Sequence, residues 1–567
     1  MRAALLIYLV CGVTGCGEVQ VQVDGSVIVD PCAGVTCECT AATEATDCGA
    51  HASCDETGPG RVCKCIAAYA KTAGSACTFA GAPENPGMSD PTKWTAVATG
   101  ALIDPTAAGN VDAGEAVINR VGMCGFGGLT QTFTMPPLAR AEPMKLVVTH
   151  TAADSMGDLG ATLLSIGVGN QWVDLPLARN VYKTESFCLG AAAFGGPTDF
   201  RIATMGSPSC AGASTSTVRV DQMQVQVAAP GECPMPGQVV NGDFETMAGW
   251  TFNNFSGSTG AIVPATGEAG SAAAQITGAN KCSEATMTGT VSIPTRASMP
   301  NPAIDVFWNG TAGQRLVVAL AGHNVETLNG TGTASHTRMC VPPWAAGTVN
   351  ALSFFMQRQS DNGCTIALAR SFTIDNLTVV NEPTCNAAGE LTDPGFERVA
   401  NVTGPATGWG LTNGYVNDTE GVTTNVLNSA GLAHSGSGVL RMTWVNQCTG
   451  LNLAGADFTI FVPPAMGTSG PAVTFFVNAP ATNTMTETRL SLLPAPSSTT
   501  TGFVTSPETG AYVQNILCLP PQLAKRRISL RASLGNTNGG GCTTNQTLES
   551  ALFDDFEVTT DPSCPAM

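Results

Sequence analysis

The chain is poor in charge. Asp, Glu, Lys and Arg make up 12% of its 567 residues, and 25 Lys and Arg stand against 43 Asp and Glu, for a net charge of -18 at pH 7. A surface of that sign repels phosphate backbones, so no nucleic acid is expected as a partner, and anionic lipid offers no electrostatic hold. Aromatic residues are few, at 6%, and histidines fewer: His51, His150, His323, His336 and His434 lie too far apart to suggest zinc ligands. After the first residues no apolar run approaches the ~18 that a membrane helix needs. No segment sustains a helical period for four turns. The G-x-S-x-G elbow, the H-E-x-x-H helix and the P-loop are also missing, which removes common signatures of hydrolases and nucleotide binding.

Cysteine, by contrast, is abundant at 22 residues. With so few histidines to share zinc, that number predicts disulfides and an oxidising compartment. The first residues agree. MRAALLIYLVCGVTGC carries one Arg, a short apolar run and small residues before a Cys, which is the layout of a secretory signal too short to span a bilayer. Val13-Thr14-Gly15-Cys16 resembles a bacterial lipobox. The resemblance implies that residues 1–15 are removed and that Cys16 is acylated, making the membrane a partner through an N-terminal lipid anchor at the outer membrane or cell surface. More than one acyl chain holds stably where a single chain is marginal. Residues 16–30, with the alternating EVQVQVDGSVIVD, read as a short strand or an extended tether.

Residues 31–79 concentrate cysteines: Cys32, Cys37, Cys39, Cys48, Cys54, Cys63, Cys65 and Cys77. The late Cys63-Lys64-Cys65, Tyr69 four residues on and the closing Cys77 resemble an epidermal growth factor-like module. That resemblance implies pairing of Cys39 with Cys54, Cys48 with Cys63 and Cys65 with Cys77, and leaves Cys32 and Cys37 to close a loop of their own. Ala68 stands where the family usually has Gly. So small a module has too little core to hold itself without bridges.

A threefold repeat follows, at 84–233, 234–385 and 386–567. Its frame is Cys124, Cys188, Cys210, Cys233; then Cys282, Cys340, Cys364, Cys385; then Cys448, Cys518, Cys542, Cys564. FCLGA, MCVPP and LCLPP surround the second Cys of each set. Each repeat therefore carries a closed set of four, whose pairing has three solutions on sequence alone. Runs such as LTQTFTM, AIDVFW, RLVVAL and AVTFFV alternate apolar and polar residues between Gly, Pro and Asn clusters, which is strand chemistry. The fold class expected is all-β: a small disulfide-rich module, then three tandem β-sandwich (jelly-roll) domains strung along the chain.

The repeats open on NPGMSDPTKW, NGDFETMAGW and DPGFERVANVTGPATGW, and each carries an Asp shortly before its last Cys: Asp221, Asp375 and Asp554. These features resemble carbohydrate-binding-module-like jelly rolls, in which a first-strand Glu and a last-strand Asp lie close together and often share structural calcium, an ion suited to hard oxygen ligands. The resemblance implies Glu245 with Asp375 and Glu397 with Asp554 as metal ligands; Ser89 breaks the pattern in the first repeat. The alternative is that these carboxylates serve backbone amides at a sheet edge. Trp94, Trp250 and Trp409, at a repeated position, read as core. Trp308 and Trp344, set among Gly and Pro, are expected to be exposed for ligand binding. Asp243 and Glu245, two apart on a strand, have the separation of a glycosidase pair, but the other repeats have Gly87 and Gly395 in place of Asp243, so no enzyme is expected. The function expected is non-catalytic binding of a glycan or another surface ligand, in adhesion or recognition. The alternatives are a structural stalk or coat protein, or the accessory binding subunit of an extracellular enzyme.

Overall fold

The computed structural model describes residues 39–566 apart from 41–42, 50, 56–60, 72–76, 98–99, 122–125, 155–162, 176–178, 206–214, 358–363, 386, 389–390, 398–408, 414–422, 446–452, 484–486, 494–502 and 536–547. The signal segment, Cys16, the tether, Cys32, Cys37, Cys124, Cys210, Cys448 and Cys542 lie outside the described residues.

The cysteine-rich module has a one-turn helix, Glu44–Asp47, and two short hairpins, Ala52–Asp55 with Val62–Cys65 and Tyr69–Lys71 with Cys77–Phe79. Its bridges are Cys39–Cys54, Cys48–Cys63 and Cys65–Cys77, the pairing that the growth-factor-like resemblance implies. The module draws part of its core from its neighbour. Tyr69 is buried in the hydrophobic cluster of the first repeat, with Phe79, Cys65 and Cys77 packed around it.

Each repeat is a sandwich of two five-stranded antiparallel sheets with the same topology. Counting the ten strands of each sandwich in chain order, which in the third repeat leaves out the short Ala387–Ala388 and Leu391–Thr392 pair, one sheet runs first, fourth, ninth, sixth, seventh, and the other second, third, tenth, fifth, eighth. The strands form because Val, Ile, Phe and Thr alternate with polar residues; Glu284–Ser292, for example, buries every second side chain along most of its length. Apolar faces of both sheets meet in one core per repeat. A bridge ties the end of the eighth strand to the segment after the tenth: Cys188–Cys233, Cys340–Cys385 and Cys518–Cys564. Cys282–Cys364 adds the first-to-third pairing in the second repeat.

The three tandem repeats touch one another pairwise. Ala192 N–H donates to Gly347 O across the first and second, Leu411 N–H to the Thr327 hydroxyl across the third and second, and Arg201 to Lys525 O across the first and third. A Cβ on Gly190 would come within 2.4 Å of the Thr348 backbone, so the first two repeats meet where only glycine fits. Each of these contacts is made by the first–fourth–ninth–sixth–seventh sheet or by a loop beside it. That sheet is the inner one. The second–third–tenth–fifth–eighth sheet of every repeat faces away from the other two repeats, and in the first repeat the cysteine-rich module lies against part of it.

Candidate functional site

The opening motif is a turn, not the strand expected from its sequence. Asn241 and Phe244 have φ of 49° and 51°, and the equivalent pairs, Asn85 with Met88 and Asp393 with Phe396, do the same. Asn and Asp tolerate this left-handed region; Phe and Met hold it because their side chains are locked in the core, where Phe244, Phe396 and Met88 are fully buried. Each turn is closed by a bond from its fourth residue to its first, and its second residue accepts from the tenth strand: Pro86 from Met223, Gly242 from Leu377 and Pro394 from Phe556. Since Asp243 and Glu245 share no strand, the strand spacing inferred for them does not apply.

Two residues before each of those donors stands the repeated Asp, where a bulge shifts the register of the tenth strand against the fifth. Asp221, Asp375 and Asp554 are buried. Each accepts backbone amides from one loop between the second and third strands: Asn110 and Val111 on Asp221, Glu268 on Asp375, and His434 and Ser435 on Asp554. The Glu of the opening turn reaches the far end of the same loop. Glu245 accepts from Ala272 N at 3.3 Å, and Glu397 from Ser437 and Gly438 N at 2.8 and 2.9 Å. Carboxylates at both ends thus hold the loop.

The fit to calcium differs between repeats. In the third, burial and the adjacent charge of Asp555 push Asp554 up to about 6, against bonds from His434, Asp555 and Ser435 amides. Asp554, Asp555 and Glu397 offer the hard oxygens that calcium takes, but their ligand atoms do not all lie within 4.8 Å of one another. In the second, Asp375 takes as many donors, Glu268 N, Asn376 N and the Ser271 hydroxyl, and its neighbour in the strand is the uncharged Asn376. Among the described residues the one set of three acidic, His or Cys ligand atoms gathered within 4.8 Å is Cys39, Cys48 and Cys63, all in disulfides. A cation here would therefore need backbone oxygens as well.

The held loops deliver side chains onto the outer sheet. In the second repeat Glu268 reaches His336, whose Nε2 is 2.9 Å from Glu268 Oε1 and Nδ1 3.2 Å from Asp305 Oδ1. His336 lies edge-on to the half-buried ring of Phe307, with centroids 5.4 Å apart. Arg338 follows two residues on, bonded to Glu382 and close to Asp305. The Glu268 hydrogen bond, seconded by Asp305, raises the pKa of His336, and the same bond lowers that of Glu268. In the third repeat His434 comes from the loop itself. It stacks on Phe476 at 3.7 Å, bonds Asp555 through Nδ1 at 2.7 Å and meets Tyr512 edge-on. Phe307 and Phe476 hold the same place, each paired with the residue four before the second Cys. Thr149 takes that place in the first repeat. There the outer face instead carries a ladder of Gln222, Gln224 and Gln226, part of which lines a cleft of about 510 Å³ against His51, Phe79 and Glu142.

Trp308 and Trp344 are not the exposed rings that their Gly and Pro neighbours suggested, being 6% and 1% exposed. Trp308 points inward from the fifth strand and donates its indole N–H to Thr337. Trp344 lies in a one-turn 3-10 helix, Pro343–Ala345, and is covered by the third repeat, with Arg527 5.1 Å from its ring. Trp94, Trp250 and Trp409 are buried, as their repetition implied. Phe307, His336, Phe476, His434 and Tyr512 escaped the sequence reading. The signal was there: PAIDVFWN and PAVTFFVN align without a gap and put Phe307 over Phe476.

No protein-family model matches the chain, and no curated protein sequence matches it. Several solved structures are similar to parts of it. One is TmCBM61 in complex with beta-1,4-galactotriose, at 14% identity over 31% of this chain and 100% of that one, with a TM-score of 0.21. Another is the tandem CBM22-1 and CBM22-2 domains of Xyn10C from Paenibacillus barcinonensis, at 12% identity over 51% of this chain and 93% of that one, with a TM-score of 0.18. A triple jelly roll from the turret of an archaeal virus is similar over 80% of this chain and 86% of that one, at 9% identity and a TM-score of 0.17.

Proposed function

We propose that this chain is a non-catalytic, lipid-anchored protein of the bacterial cell surface that binds glycan on its outer sheets. The observation that carries the reading is the recurrence, in the second and third repeats, of an outward Phe with an imidazole and carboxylates around it. A sugar offers an apolar C–H face to such a ring and vicinal hydroxyls to carboxylate and Arg or His partners, and Phe307, Asp305, His336 and Arg338 supply both. Calcium belongs to the proposal as a structural ion, held by Glu397 and Asp554 in the third repeat and by Glu245 and Asp375 in the second. Its contribution would be to fix the loops that carry His434 and Glu268.

A glycan array probed with the mature chain in calcium tests the binding. Hits that Phe307→Ala and His336→Ala weaken at least tenfold are expected. An array without hits removes the glycan reading and leaves a structural stalk or coat protein. The anchor has a separate test: acyl-chain labelling of the expressed protein is expected to disappear in Cys16→Ser, and labelling that survives the substitution would refute it.

A further inference from the structure

At the junction the three repeats contribute one ionisable group each. Asp174 comes from the seventh strand of the first, His323 from the seventh strand of the second and Arg527 from the ninth strand of the third. Asp174 Oδ2 lies 3.3 Å from Arg527 Nη2 and 3.5 Å from His323 Nε2, while its Oδ1 accepts the Ser165 hydroxyl. His323 Nδ1 is 2.5 Å from the Ser529 hydroxyl of the third repeat, which also contacts Thr459. Trp344 walls the cluster, edge-on to His323 and under the Arg527 guanidinium. The Arg527 side chain is 2% exposed.

From this geometry we infer that Asp174, His323 and Arg527 form an acid-sensitive latch, which holds the three repeats as one body while His323 is neutral and releases them when it is protonated. The inference stands apart from any ligand on the outer sheets. The charges facing His323 are Asp174 from the first repeat and Arg527 and Asp457 from the third. Asp457 is already engaged by Arg531 at 2.6 Å. Beyond them, Lys525 and Arg201 share Asp199, and Arg526 is buried nearby. With His323 neutral, one anion meets one cation. A proton on His323, whose side chain is 15% exposed, leaves an unmatched positive charge against Trp344 and the nearly dry Arg527.

The direction of the effect follows. Burial, then the charge of Arg527, lowers the pKa of His323, with Asp174 and Asp457 pulling the other way. Burial pushes Asp174 up, but the His323 ring 3.5 Å away and the Arg527 charge outweigh it and hold its carboxyl well below the usual range. A histidine whose folded pKa is depressed contributes stability that is full above its unfolded value of roughly 6.5 and is lost as pH falls through the folded value. Asp174 stays charged across that window. Acid therefore opens the junction.

Small-angle scattering and calorimetry of the mature chain between pH 8 and pH 5 test the latch. The wild type is expected to keep the radius of gyration of a compact chain, ~24 Å, down to about pH 6.5, then to expand and split its thermal transition. His323→Gln, which cannot take the proton, is expected to stay compact throughout. His150 is also buried with a lowered pKa and destabilises the first repeat in the same direction, so the comparison with His323→Gln is decisive: equal expansion in both proteins overturns the inference, as does a wild type still compact at pH 5. Should His323→Gln not fold, selective carbon-13 labelling of the wild-type histidines supplies the second measurement. The His323 resonance is expected to titrate below 6.5 together with the expansion; titration at or above the ordinary value, or apart from the expansion, refutes it.

Discussion

Single residues set the conformation of the loops, and here a carboxylate means different things in different places. Asp554 is pushed up to about 6 by burial and by Asp555, a shift that a bound cation would oppose. Glu397 spends its oxygens on the opposite end of the loop, on Ser437 and Gly438. Calcium is expected to raise the melting temperature relative to chelator, by an amount corresponding to about 2.7 kcal/mol when free ion exceeds Kd a hundredfold. In Glu397→Gln the increment should shrink, because one hard ligand is lost. Identical melting curves with calcium and with chelator would dispose of the structural ion. The sequence showed the acidic residues but not their employment, since a Glu on a ligand and a Glu on an amide are the same letter.

At the scale of the element, the unit that recurs is the opening turn, the bulge in the tenth strand and the loop that the bulge Asp holds. It recurs in the first repeat too, where Ser89 removes the Glu but Asp221 still accepts from Asn110 and Val111. Capping therefore does not depend on the carboxylate pair. Asp221→Asn places an amide against those N–H groups and is expected to cost roughly 2–3 kcal/mol, the range for leaving buried donors unmatched near a lost charge-assisted bond. Chemical denaturation of the variant checks this; a change within experimental error would show that the loop holds itself. The same unit explains why NGDFETMAGW misled as a strand. Its alternation of Phe with polar residues fits period two, but the left-handed Asn241 and Phe244 turn the chain back onto the tenth strand, and Gly242 lets it approach the Leu377 carbonyl.

For the whole molecule, the question is which sheet each sandwich keeps for itself. The inner sheets carry Ser165, Asp174, His323, Thr327, Thr459 and Ser529 on faces that meet another repeat, and the outer sheets leave Phe307 and Phe476 facing away. Ligand sites on a latched trio would sit at fixed separations, so avidity would depend on whether a surface presents ligands at that spacing. Opening the latch would loosen that constraint. By itself the sequence determined that the cysteines pair as disulfides, through 22 cysteines among few histidines, and the all-β class, through period-two runs between turns. It also determined the threefold repeat and the buried tryptophans at each opening, because a core position must be refilled in every copy. Only the tertiary structure decided which sheet is covered and that Trp308 and Trp344 are buried. Alternation separates the two faces of a strand, but both solvent-side faces of a sandwich are written in the same polar residues. The Gly and Pro around Trp344 describe its own backbone and carry no trace of Arg527, which arrives from a strand of another repeat to cover it.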